Sequence, residues 1–321
     1  MSHVIFGKRG RAGIITLNRP EAMNALNLDM IRRIDTALDQ FVKDPAVSCV
    51  ILNSSSDRAF CAGGDMRRVR ELVLDGKRAE AEKFFEEEYA LIEKISVLPK
   101  PYVSLIDGIC MGGGMGLSVH GTYRIATERA LFAMPETAIG FIPDVGGSYL
   151  LPRMPEYCGI WMGLTGASVR GFDAHGLGIS THMAATETLP ELLDDLCHSS
   201  QPIDETLSKL CASTGHQFDI LMLSDTTACF GQPTLRTIVK SLEQNRSKRK
   251  EAALKALRNA SPRSLQETLT LLRRGKELSL SECLAQEFEA MRHAIRHPDL
   301  AEGVRAVLVD KDHAPNWQKA G

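Results

Sequence analysis

No stretch of this 321-residue chain approaches the roughly 18 consecutive apolar residues that cross a bilayer. Residues 1–10 lack the apolar core of a signal peptide and read instead as the start of a strand. No membrane partner is expected, and the expected compartment is the cytoplasm, or the mitochondrial matrix if the source is eukaryotic and a transit peptide has been removed. Charge of one sign is lacking too: 38 Lys and Arg stand against 40 Asp and Glu, a net charge of -2. No basic field speaks for nucleic acid, so an anionic substrate has to be met by local donors. The eight cysteines contain no CxxC pair and read as reduced, mostly buried thiols. His120, His175 and His182 lack ligand spacing, so no metal is expected.

Two catalytic signatures are also missing. No glycine-rich turn carries the lysine of a phosphate loop, or a G-x-G-x-x-G followed by an acid at the right distance. Gly116-Leu117-Ser118-Val119-His120 has His120 where a nucleophile elbow needs its second glycine.

What is present is an ordinary globular composition, 44% hydrophobic and 24% charged, long enough for one main domain with an appendage. Val4-Ile5-Phe6 and Gly13-Ile14-Ile15-Thr16-Leu17 read as two strands. Asn27 fits a helix N-cap, with Ile31, Ile34, Leu38 and Phe41 at helical spacing before Pro45. Cys49-Val50-Ile51-Leu52 and Tyr102-Val103-Ser104-Leu105-Ile106 are short continuous apolar runs, the pattern of strands buried on both faces. A long charged helix is expected over 69–97, a small-residue helix over 112–119, and two more short strands at Arg124-Ile125-Ala126 and Ala130-Leu131-Phe132. Recurring strand, strand, helix units predict an α/β fold in which ββα repeats stack as a spiral, with a doubly wound sheet as the competing architecture. The spiral core should occupy residues 1–185, an irregular, partly helical connection 186–234, and a helical region 235–321. In the last region Ser261-Pro262 opens one helix, and another over 279–297 is stopped by Pro298. The basic run 246–250 reads as a solvated helical face.

Two glycine-rich turns carry the chemical interest: Phe60-Cys61-Ala62-Gly63-Gly64-Asp65 and Met111-Gly112-Gly113-Gly114-Met115-Gly116. Each lies between a strand and a helix, where free backbone N–H groups and the helix dipole favour negative charge. Two such turns facing each other could form an oxyanion hole, a reading that stands level with tight packing; alone, either turn is better explained by tight packing. A third stretch, 134–147, holds Glu136 and Asp144 among apolar residues, glycines and prolines. A carboxylate in apolar surroundings serves a function or a salt bridge, and burial should raise its pKa. The competing reading makes Asp144 an N-cap and Glu136 one half of a structural ion pair.

These three blocks, with Glu302-Gly303-Val304-Arg305-Ala306-Val307-Leu308-Val309-Asp310-Lys311-Asp312, resemble the crotonase (enoyl-CoA hydratase/isomerase) superfamily over nearly the whole chain. Within it they resemble the branch that hydrolyses short β-hydroxyacyl-CoA thioesters. The resemblance implies a crotonase-like spiral, oxyanion donors at Gly64 and Gly113, and catalytic carboxyls at Glu136 and Asp144. It also makes Glu88 a contact to the substrate hydroxyl, although the sequence by itself makes Glu88 a solvent-exposed helix residue. Coenzyme A would lie along Met23, Ala25, Ala62 and Asp65, with Arg67, Arg68 and Lys311 as candidates for its phosphates.

The implied reaction is hydrolysis of 3-hydroxyisobutyryl-CoA or a near relative such as 3-hydroxypropionyl-CoA, in valine breakdown. No cofactor is needed, since coenzyme A belongs to the substrate. One departure matters within the superfamily. Hydratases carry a second catalytic glutamate two residues after the triple glycine, and Gly116 stands there. An enoyl-CoA hydratase or isomerase using Glu136 alone is the alternative enzyme, and a non-catalytic scaffold is the alternative outside enzymes. The family implies self-association through the C-terminal helices, which this branch need not keep.

Overall fold

A computed structural model describes residues 2–211, 220–244 and 247–318. The chain divides into two units interleaved along the sequence: Met1–Gly64, Ala90–Phe132 and Val169–His216 form the first, and Asp65–Tyr89, Ala133–Ser168 and Gln217–Gly321 the second.

The first unit is built on strands β1 (Val4–Arg9), β2 (Ala12–Leu17), β3 (Cys49–Ser54), β4 (Ala59–Cys61), β5 (Tyr102–Ile106), β6 (Ile109–Met111), β7 (Tyr123–Ala126), β8 (Leu131–Ala133), β9 (Val169–Arg170) and β10 (His182–Met183). β1 and β2 form an antiparallel hairpin, and β3, β5, β7 and β10 follow β2 in parallel, giving the order β1-β2-β3-β5-β7-β10. A second sheet runs β4-β6-β8-β9. In the pairs β3/β4, β5/β6 and β7/β8 the first strand thus joins the larger sheet and the second joins the smaller. This is the spiral of repeats that the sequence predicts. β5 is buried along its whole length, as a parallel strand covered on both faces must be.

The stretch 186–211 is more regular than expected. Helices Leu189–His198 and Ile203–Leu210 set Leu192, Leu196 and Leu207 against Ile51, Val103, Leu105 and Ile125 of the larger sheet. Residues 212–219 of the tract lie outside the described residues. Apolar burial at about 25 cal/mol per Å² is what orders these short helices, since isolated helices of this length are not stable in water.

The second unit is helical. The expected single helix over 69–97 is two, Met66–Leu74 and Arg78–Ser96, parted at Gly76, whose φ of 76° a residue with a side chain rarely adopts. Asp65 caps the first by accepting from the Arg68 amide. C-terminal helices follow at Ile220–Phe230, Leu235–Glu243, Lys248–Asn259, Pro262–Gly275, Leu280–Ala294 and Pro298–Val304. Ser261 and Ser279 cap two of them, with Pro262 at a first helical position. Pro298 does not stop the preceding helix, which already ends at Ala294, but opens the next one. Of the basic run, Arg246 lies outside the described residues. Lys250 is not a solvated residue: its side chain is 13% exposed and faces Asp225 at 3.5 Å.

Candidate active site

In the first unit the two glycine turns end β4 and β6, which are paired in parallel. Gly113 is the first residue of helix Gly113–Val119, so its N–H has no intrahelical acceptor. Gly64 bridges to Leu26, whose N–H donates to the Gly63 carbonyl at 2.8 Å. The turns press against each other: a Cβ on Gly114 would lie 2.4 Å from the Cys61 carbonyl oxygen. Glycine there lets the turns pack, and that packing is also what brings Gly63-Gly64 beside Gly113. The 23–25 stretch is fastened to the same place. Met23 and Asn24 take left-handed conformations, the Ala62 N–H donates to the Met23 carbonyl at 3.0 Å, and the Asn24 amide donates to the Phe60 carbonyl at 2.9 Å. Met23, Ala25, Ala62, Gly64 and Gly113 therefore lie close together in this unit, with Gly113 buried.

In the second unit the carboxyl groups come together. Glu136 begins a short 3-10 turn, Glu136–Ile139, and Asp144 lies in the bend before helix Gly147–Leu150. Both are buried, at 7% and 4% exposure. Neither competing reading survives: the helix after Asp144 is capped by Gly146 with no side-chain bond, and no cation pairs with Glu136 among the described residues. Oε2 of Glu136 is buried with no hydrogen-bond partner among those residues. Asp144 accepts from the Tyr89 hydroxyl at 2.7 Å.

Glu88 is 2% exposed, which corrects its reading as a solvent-facing residue, and its Oε1 is likewise unsatisfied. The reason is helical spacing. Phe84, Phe85, Tyr89, Leu91, Ile92 and Ile95 make the buried stripe of helix Arg78–Ser96, and Glu88 falls on that stripe. Phe85 stacks on Phe141 with ring centroids 5.2 Å apart, and Tyr89 meets Phe288 edge-on at 6.2 Å, so the walls here are aromatic.

A fourth carboxyl, Glu287, is fully buried and accepts from the Gly146 N–H at 2.8 Å and from the Ser148 N–H at 2.7 Å. Burial pushes all four acids up. Glu88 and Glu136 rise well above the ordinary range, chiefly by desolvation and then by the neighbouring Asp144 charge. Asp144 rises to about 7, again by desolvation, with the Tyr89 hydroxyl pulling the other way. Glu287 rises to about 8 against the donors of Ser148 and Gly146, which favour its ionised form. Asp144 and Glu287, so raised, exchange protons near neutral pH, which an exposed carboxylate cannot do. The four acids titrate as a set rather than singly.

A model of the enoyl-CoA hydratase/isomerase family matches residues 12–321. The chain belongs to that family. Among its relatives, the human protein named 3-hydroxyisobutyryl-CoA hydrolase, mitochondrial, is 42% identical over 99% of this chain and 84% of its own length. The protein of the same name from Xenopus tropicalis is 43% identical over 97% and 83%. Among solved structures, a carnitinyl-CoA dehydratase from Mycobacterium thermoresistibile superposes with a TM-score of 0.93 at 34% identity, covering 99% of this chain and 92% of that one. An enoyl-CoA hydratase from Rhodobacter sphaeroides 2.4.1 gives 0.91 at 37%, covering 99% and 93%. The family thus spans hydrolase and hydratase names on one fold, so activity has to be argued from the site.

Of the expected coenzyme A contacts, Asp65 is occupied as a helix cap, Arg67 donates to the Leu308 carbonyl at 2.6 Å, and Arg68 pairs with Glu71 at 3.0 Å. Lys311 is exposed. Sequence reasoning missed Tyr89 and Glu287. Both were legible as polar groups on apolar helical stripes, the second among Cys283, Leu284, Ala290, Met291 and Ala294.

Proposed function

We propose that this protein hydrolyses 3-hydroxyisobutyryl-CoA to 3-hydroxyisobutyrate and coenzyme A. The observation that carries the proposal is the buried set of Glu136, Asp144 and Glu88, which among the described residues has no paired cation and in which two carboxyl oxygens lack partners. Orphaned buried oxygens are costly in the free protein, and a ligand bringing hydroxyl and water donors would satisfy them. The names of the relatives point the same way, and they support the mitochondrial matrix as the compartment if the source is eukaryotic.

In this reading the N–H groups of Gly64 and Gly113 receive the thioester oxygen, each lowering the barrier by about 3 kcal/mol. Glu136 either attacks the carbonyl carbon, giving an anhydride that water then cleaves, or removes a proton from the attacking water. The C–S bond breaks, and the thiolate leaves with a proton passed through Asp144. Glu88 accepts from the β-hydroxyl. Because burial keeps the proton on Glu136, the reactive ionised form is populated only as pH rises. The acid limb of kcat/KM should therefore sit above the ordinary carboxylate range.

Enoyl-CoA hydration is the second reading, favoured by the names of the two solved structures. Gly116 speaks against it, since a glycine cannot share a water with Glu136 as a second acid would. Incubation with 3-hydroxyisobutyryl-CoA and with crotonyl-CoA decides: thiol release from the first supports hydrolysis, whereas hydration of the second without thiol release overturns it. Turnover in oxygen-labelled water then separates the two routes, because label enters Glu136 only through the anhydride.

A further inference from the structure

The bend that carries Asp144 is held in a conformation its own residues do not favour. Val145 has φ of 55° and Gly146 φ of 80°, two successive left-handed residues, the first β-branched. A valine there is a strained outlier that persists only where its surroundings enforce it. The bend turns the N–H groups of Gly146 and Ser148 to one side, while the Gly147 N–H between them donates to the Asp144 carbonyl at 2.7 Å, and the two make a small anion cradle. The cradle holds the carboxyl group of Glu287, which reaches it from helix Leu280–Ala294. Oε2 accepts from Gly146 N, and Oε1 accepts from Ser148 N and, at 2.5 Å, from Ser148 Oγ. Gln286 also donates to Ser148 Oγ, at 3.2 Å, and a Cβ on Gly275 would lie 1.9 Å from the Ser148 carbonyl oxygen, so this end of the bend is closely packed. Between the bend and the helix, these are short, buried bonds from both oxygens of one acid.

We infer that Glu287 is a positioning residue of the hydrolytic site: by gripping the amides of Gly146 and Ser148 it locks the Val145 bend and so fixes where Asp144 stands. Glu287 itself does not touch the substrate. This rests on the hydrolase reading for its catalytic consequence, though not for its structural one. A carboxyl group suits the task because, ionised or neutral, each of its oxygens can accept from an amide N–H. A glutamine, in either orientation of its amide, sets an NH₂ group against an N–H donor.

Glu287→Gln is the test, with Glu287→Asp and Ser148→Ala beside it. Glu287→Gln should lower kcat for 3-hydroxyisobutyryl-CoA about 10²-fold, the scale of an ångström of misplacement, while KM stays within threefold and the melting temperature within a few degrees. Hydrogen exchange over 144–149 should quicken, Glu287→Asp should not rescue kcat because its shorter arm cannot reach both amides, and Ser148→Ala should lose roughly fivefold in kcat. If Glu287→Gln does not fold, Ser148→Ala carries the test. Unchanged kcat and unchanged exchange in the folded variants overturn the inference. If the unaltered protein releases no thiol from any short acyl-CoA, the hydrolase reading fails instead, and exchange over 144–149 still decides whether Glu287 locks the bend.

Discussion

Asp144→Asn should make the protein more stable at alkaline pH while removing its activity. The buried acid titrates at about 7 in the folded chain against an ordinary 3.8. Each tenfold change in proton affinity is 1.36 kcal/mol, so holding Asp144 ionised in the fold costs on the order of 4 kcal/mol. The sign follows from proton counting. Between pH 4 and 7 the folded chain keeps a proton that the unfolded chain has released, so stability falls as pH rises through that window and levels off above it. The asparagine variant has no such loss, and its Oδ1 can still accept from the Tyr89 hydroxyl. Urea unfolding at pH 4.5 should find the two proteins within about 1 kcal/mol. At pH 8.5 the variant should be ahead by about 2–4 kcal/mol, the lower figure allowing for relaxation and for the proton being shared with Glu88. A variant that is equally displaced at both pH values, or weaker at 8.5, would refute the electrostatic account of the cluster.

Glu136→Gln should cut thiol release by about 10²–10⁴-fold, the usual worth of a catalytic acid or base, and leave acyl-CoA binding measurable by calorimetry; near-normal kcat would remove Glu136 from the mechanism. Tyr89→Phe deletes a donor that favours ionised Asp144, so the Asp144 carboxyl should titrate at higher pH by infrared difference spectroscopy, and a titration that stays in place contradicts the pairing. Gly114→Ala forces its new methyl into the Cys61 carbonyl; chemical denaturation should show a loss of about 1–3 kcal/mol, with kcat falling further as the Gly64 and Gly113 amides part.

Much of this was legible in local pattern. The apolar runs at β3 and β5 and the caps at Asn27, Ser261 and Ser279 declare themselves, because their causes lie within a few residues of their effects. Glu136 and Asp144 were visible for the same reason, as charges in an apolar stretch. What local pattern did not give was depth. Glu88 sits in a run of three glutamates, which reads as solvated, and only the phase of Phe84, Phe85 and Tyr89 tells that it points inward. Glu287 has no local sign beyond its place on an apolar stripe, because its purpose is to bind amides 139 and 141 residues away. The helices at 189–210 were expected only as part of an irregular, partly helical stretch, because their order comes from the sheet they cover rather than from their own propensity.

The choice between hydration and hydrolysis turns on how many acids a site can keep and in what state. Hydration delivers one water across a double bond, for which two glutamates holding that water suffice. Thioester hydrolysis needs more proton traffic: an acid must lose its proton to attack or to activate water, and the departing thiolate must gain one. Three buried acids, Glu88, Glu136 and Asp144, pushed up by desolvation with no cation among the described residues to pin them ionised, suit that traffic. A Lys or Arg beside them would make each acid easier to ionise and easier to bury, yet would fix the charge that has to move. That the fold tolerates three such acids with no cation beside them among the described residues is a physical reason to read this site as a proton exchanger for an acyl transfer to water.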